Sequence, residues 1–137
     1  MPVRLPQPDQ YGPFSDLVGL TISRGEYGYC ECVVDVSEKL LNSVNVVHGG
    51  VISTMADFGM AAALFTTFDE GELPATIEMK VSYLASVTSG VLTCESRLIH
   101  RAGGIAFVES EIKNDGRLVA KGTGTYRVYR PPRAGTG

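Results

Sequence analysis

The sequence predicts an α+β fold in which an antiparallel β-sheet wraps around one long α-helix, and three features predict it. First, the run from Gly49 to about Phe68 has helix length, is rich in helix formers such as Ala56, Met60, Ala61, Ala62, Ala63 and Leu64, and is apolar nearly all the way round. Such a helix is expected to be enclosed by the rest of the chain. Second, strand-like runs rich in alternating apolar residues follow it, so one face of each is expected to be buried. Third, "NDG" at 114–116 joins the last two of these runs and is a strong hairpin signal.

Along the chain, residues 1–13, "MPVRLPQPDQYGP", hold four of the seven prolines and are expected to form a polar, mostly extended lead-in. "FSDLVGL" at 14–20 suits a short helical turn, and "YGYCECVVDV" at 27–36 suits a strand through its β-branched and aromatic content. "SEKLLNS" forms a loop before the long helix, and "DEGELP" at 69–74 closes that helix. In "TIEMKVSYL", Ile77, Met79, Val81 and Tyr83 alternate with Thr76, Glu78, Lys80 and Ser82, which predicts a strand with one buried face. Further strands are expected at 90–100, 105–113 and 117–130, with residues 131–137 as a flexible tail. The expected order is therefore strand, helix, then about four strands paired as a meander, in a single domain spanning 14–130.

The length of 137 residues fits one domain. With 44% hydrophobic and 20% charged residues and a formal charge of -3, the chain has no basic stripe for nucleic-acid phosphates, so no nucleic-acid partner is expected. Cys30, Cys32 and Cys94 are odd in number, and the first two share a strand face too closely for an ordinary bridge. This fits a reducing, cytoplasmic location, as does an N-terminus without a signal-peptide pattern. Residues 49–68 are apolar enough to raise a membrane span, but Asp57 at the centre would cost about 2.5–3.5 kcal/mol on insertion scales. No membrane association is expected. Cys30, Cys32, Cys94, His48 and His100 show no metal-ligand pairing beyond one C-x-C.

Asp57 is the residue that asks for a function. A carboxylate on an enclosed apolar helix is costly unless it is paired, hydrogen-bonded or neutral. A lone buried Asp can be a cap or a helix-to-sheet hydrogen bond, but its neighbours favour chemistry. "HGG" at 48–50 falls where the helix begins, so the Gly49 and Gly50 amides are first-turn donors at the positive end of the helix dipole, able to hold an oxyanion. Nine residues separate His48 from Asp57, about 900° of helix rotation, which turns the two to opposite sides. If both serve one site, the simplest geometry takes Asp57 from one subunit and the Gly49 region from another across a two-fold axis. Asn42, in the loop entering the helix, could hold a water or the Asp57 carboxylate.

The pattern N-x5-HGG-x6-D, formed by Asn42, His48, Gly49, Gly50 and Asp57, resembles the hotdog-fold acyl-CoA thioesterases of the phenylacetate-degradation (PaaI) type. The likeness runs from about Phe14 to Val128 and includes "TIEMKVSYLASVTSG" and "GRLVAKGTGTYRV". It implies a hotdog fold, a dimer whose sheets join and whose active sites are shared, and a tetramer of two such dimers. It further implies that Asp57 is general base or nucleophile, that the Gly49 amide, with Gly50, polarises the thioester carbonyl, that Asn42 orients water and that His48 supports the loop or the thioester. Thr76 matches a position near the attacking water. The implied substrate is an acyl-CoA, and no cofactor or metal beyond the CoA of the substrate is implied; the apolar residues Phe58, Met60, Phe65 and Leu64 are candidates to line a pocket for an aromatic or medium-chain acyl group, with core packing as their competing role, and Arg101 is a candidate substrate contact. One departure is that "HRAGG" puts Ala102, Gly103 and Gly104 where many relatives carry basic residues, leaving Arg101, Arg97 or Lys80 for the CoA phosphates. The competing readings are a non-catalytic acyl-thioester binding module and a hotdog hydratase or dehydratase.

Overall fold

The computed structural model describes residues 3–132. A short helix α1 (Pro13–Val18) leads into strands β1 (Thr21–Glu26) and β2 (Tyr29–Asp35), then the long helix α2 (Gly49–Phe65), then β3 (Leu73–Tyr83), β4 (Val91–Ala102), β5 (Ile105–Asn114) and β6 (Arg117–Tyr129). The strands form one antiparallel sheet in the order β1-β2-β4-β5-β6-β3, and α2 packs against β2, β3, β4, β5 and β6. This is the hotdog arrangement. Among the described residues no helix is long and apolar enough to cross a membrane. Most of the expected tail, residues 133–137, lies outside the described residues.

Alternation in the sequence becomes burial in the sheet. Leu92, Cys94 and Ser96 of β4, Ala106, Val108, Ser110 and Ile112 of β5, and Ala120, Gly122, Gly124 and Tyr126 of β6 all point toward α2 and are buried. Asp115 and Gly116 form the two-residue turn between β5 and β6, both at positive φ (48° and 89°), as the hairpin signal requires. Helix and sheet approach closely because Gly59 has no side chain: an added Cβ would stand 2.7 Å from Ser96 Oγ and 3.1 Å from Cys94 Sγ. The helix accepts about 1 kcal/mol of glycine propensity cost for that contact.

Three expectations change. Thr21–Glu26 is a strand that the sequence pattern does not announce, because "TISRGE" at the sheet edge has neither alternation nor an apolar run. β3 does not begin a meander; it crosses to the far edge and pairs with β6, leaving β4, β5 and β6 as the meander. Finally, α2 is not enclosed all round. Ser53, Thr54, Asp57, Phe58, Ala61 and Phe65 form a half-buried stripe along one side.

β3 also departs from simple alternation. A bulge between Thr76 and Glu78 leaves Ile77 without a partner on β6 and 54% exposed. One extra residue inverts the phase, so Thr76 comes onto the same face as Met79, against α2.

The three cysteines are free and buried. Burial pushes the Cys30 thiol up to about 12, and a hydrogen bond with Cys94 together with burial raises Cys32. A thiol held protonated in the fold stabilises it below the ordinary thiol value of 9.0, and that contribution is lost as pH rises toward the folded value. The denaturation midpoint is therefore expected to fall between pH 9 and about 12, with thiols that react with a disulfide reagent only after unfolding. A flat midpoint or immediate native-state labelling contradicts this.

Candidate active site

Asp57 projects from the half-buried stripe of α2 toward the sheet. Its Oδ1 accepts two hydrogen bonds, from the Thr76 hydroxyl of β3 and from the Tyr126 hydroxyl of β6, each 2.8 Å long. Among the described residues Oδ2 has no partner, and the carboxylate borders a cavity of about 290 Å³ lined also by Ser53, Thr54, Phe58, Pro74 and Met79. A carboxyl group with one oxygen fixed by two donors is held in orientation, with the other oxygen facing the cavity.

Each donor depends on a local feature of the sheet. Thr76 faces Asp57 because of the bulge at Ile77. Tyr126 is wholly buried, and its ring lies back along β6 over Gly124, where an added Cβ would be 2.8 Å away. Its hydroxyl also reaches the Asp57 backbone oxygen at 3.2 Å. Burial, then the adjacent Asp57 charge, raise the Tyr126 phenol well above the usual tyrosine value, so it remains a protonated donor. Tyr126 was not singled out in the sequence. The signal lies in the inward row Ala120, Gly122, Gly124, Tyr126, where a buried tyrosine hydroxyl must find a partner.

His48, Gly49, Gly50 and Asn42 form a separate group at the start of α2. His48 is the N-cap, its Nδ1 accepting the Gly50 N–H at 2.8 Å. The expected free Gly50 amide is therefore already satisfied, and Gly50 is corrected from oxyanion donor to partner of its own cap. The Gly49 N–H has no acceptor among the described residues. Tyr83 donates to the Gly49 carbonyl at 3.1 Å, is hydrogen-bonded to Ser53, and lays its ring against Gly49. Asn42 Oδ1 accepts the Val44 and Val46 amides at 3.0 and 3.2 Å, closing the turn before the helix, so the oxygen is taken and only its amide group is left for a ligand. His48 and Gly50 border a different cavity, about 550 Å³, which meets the Asp57 cavity at Phe14 and Thr54.

The substrate-contact expectations divide. Phe58 lines the Asp57 cavity. Met60 is wholly buried against Gly124 and lies in the core instead, because it falls on the sheet-facing side of α2. Arg101 pairs with Glu72 at 3.1 Å, donates to the Gly103 carbonyl and lies over the Phe68 ring, so its charge is engaged within the chain. Among the described residues no group of three or more His, Cys, Asp or Glu is disposed to hold a metal ion.

Residues 44–121 match the family model described as the thioesterase superfamily. A conserved protein from Pseudomonas aeruginosa superposes with a TM-score of 0.83 at 30% identity, covering 86% of this chain and 94% of its own. A phenylacetic acid degradation-related protein from Ralstonia eutropha gives a TM-score of 0.79 at 27% identity, over 89% and 91% of the two chains. In sequence, the medium/long-chain acyl-CoA thioesterase YigI of Salmonella typhimurium is 26% identical over 132 residues, 85% of each chain.

Replacing Tyr126 by Phe removes a hydrogen bond to a charged group and is expected to cost about 1–3 kcal/mol of stability. Urea denaturation checks this, and an unchanged midpoint contradicts it.

Proposed function

Because the chain belongs to the thioesterase superfamily, and so hydrolyses thioesters, we propose that its substrate is an acyl-CoA with an aromatic or medium-chain acyl group, and that Asp57 acts on the carbonyl. The observation that carries this reading is the Asp57 carboxylate itself, with Oδ1 held by Thr76 and Tyr126 and Oδ2 open to the cavity. Oδ2 either attacks the carbonyl carbon or takes a proton from the attacking water; both routes begin from the same free oxygen. The C–S bond then breaks, and the products are the free acid and the CoA thiol. Thr76 and Tyr126 are the groups that aim Oδ2.

The Gly49 N–H is the oxyanion donor in this reading, at the positive end of α2. Eight residues of helix set Gly49 about 12 Å along the axis from Asp57, too far for one carbonyl to touch both within a chain. A two-fold dimer supplies the missing half. β3 is an edge strand with an open outer side and carries the exposed Ile77 and Tyr83, followed by exposed Leu84, all of which suit pairing with β3 of a second copy. Within one chain Thr76 is level with Asp57 and Tyr83 with Gly49. An antiparallel pairing centred on Lys80, with the bulge at Ile77 taking up one residue, sets Thr76 opposite Tyr83 of the other copy, and thus Asp57 opposite the partner's Gly49. His48 supports that turn through its bond to Gly50, and the Asn42 amide group orients the water. Two such dimers form a tetramer in this reading.

Asp57→Ala and Asp57→Asn are both expected to lose activity by about a hundredfold or more on aryl- and medium-chain acyl-CoAs, measured as thiol release, with the oligomer intact. Unimpaired turnover by Asp57→Ala contradicts the assignment. Wild-type binding of acyl-CoA without thiol release would mark a binding module instead.

A further inference from the structure

A third cavity, about 280 Å³, adjoins the one at Asp57 and shares Phe58, Ala61 and Pro74 with it as walls. Its remaining walls include Phe65 and Leu73 from the folded body and Pro6 and Gln10 from the N-terminal segment. Among the described residues no charged side chain lines it, and Gln10 is its one polar side chain, with Oε1 already accepting the Gln7 N–H at 2.8 Å. Such a space rejects the phosphates of CoA and accepts an uncharged apolar group.

The roof of this cavity is a strap pinned at both ends. At one end the Arg4 guanidinium lies 5.2 Å from the centre of the Phe65 ring and donates to the Phe68 carbonyl. Leu5 packs against Gly25 of β1, where an added Cβ would be 2.6 Å from Leu5 Cδ1. At the other end the Tyr11 hydroxyl accepts the Ile22 N–H at 3.2 Å, and its ring meets Phe58 edge-on at 5.2 Å. Pro6, Pro8 and Pro13 restrict the backbone between and beside these anchors.

The geometry points to residues 4–11 as the chain-length determinant of the enzyme, closing an acyl subsite that runs from Asp57 into this cavity. The inference rests on the acyl-CoA thioesterase reading and goes beyond it by naming the subsite and its limit. At about 30 Å³ for each water-sized group, the cavity holds about nine, which corresponds to an acyl chain of about eight to ten carbons or an arylacyl group of that size.

The test is thiol release from straight-chain acyl-CoAs between butanoyl and palmitoyl, with wild type, Leu73→Trp and Gln10→Trp. The two variants fill the cavity from opposite walls, and a denaturation midpoint for each establishes that it is folded. Wild-type kcat/KM is expected to peak at octanoyl- or decanoyl-CoA and to fall by about tenfold or more at palmitoyl-CoA. In both variants the ratio of kcat/KM on decanoyl-CoA to that on butanoyl-CoA is expected to drop by about tenfold or more. Loosening the strap with Arg4→Ala and Tyr11→Phe together should raise the relative rate on palmitoyl-CoA. Wild-type turnover with an unchanged chain-length profile in both filled variants overturns the inference and leaves the thioesterase reading standing; no wild-type turnover on any member overturns both.

Discussion

The structure turns on one carboxylate carried by an apolar helix and held from the sheet by two hydroxyls. Thr76 and Tyr126 come from neighbouring strands, β3 and β6, and meet at a single oxygen of Asp57. That meeting constrains much of what surrounds it. The bulge at Ile77 must turn Thr76 inward, Gly124 must leave room for the Tyr126 ring, and Gly59 must let α2 approach β4 closely. Each local irregularity, a bulge in a strand or a glycine in a helix or sheet, lowers local stability slightly and is offset by the packed core and the satisfied phenol.

The start of α2 follows a complementary logic. Its cap consumes the Gly50 amide, its preceding turn consumes the Asn42 oxygen, and Tyr83 holds the Gly49 carbonyl, which leaves the Gly49 N–H without an acceptor among the described residues. A turn fixed on so many sides can present one donor without reorganising during reaction. The fold thus has a carboxylate oxygen open to a cavity at the middle of α2 and a free N–H at its start, and the open edge of β3 offers a physical way for two chains to bring them together.

Much of this was legible in the sequence. The long apolar helix, the period-two strands and the turn at Asp115 and Gly116 are local patterns, and local patterns survive folding. Asp57 stood out because a lone acid in such a helix demands an explanation. What stayed hidden was non-local. The inward turn of Thr76 depends on register with β6, and simple alternation put Ile77 in the buried row instead. Arg101 meets Glu72 only once β4 lies beside the end of α2, and Met60 could not be sorted from Phe58 while every side of the helix looked apolar. The loss of the Gly50 amide to His48 is a rotamer-level event that composition does not reveal. Tyr126 was missed for the same reason as the bulge: its partner is a residue 69 positions away.

The central claim is that Asp57 of one chain and the Gly49 amide of another work on the same thioester carbonyl. Gly49→Pro tests it cleanly, since proline is well suited to the first position of a helix yet has no N–H to donate. Gly49→Pro and Asp57→Ala homo-oligomers should each be inactive. Unfolded together in equal amounts and refolded, they should regain about a quarter of wild-type thiol release, because half of the two-fold pairs are mixed and each mixed pair rebuilds one intact site. No recovery from verified mixed oligomers, or full activity in Gly49→Pro alone, would contradict the shared site.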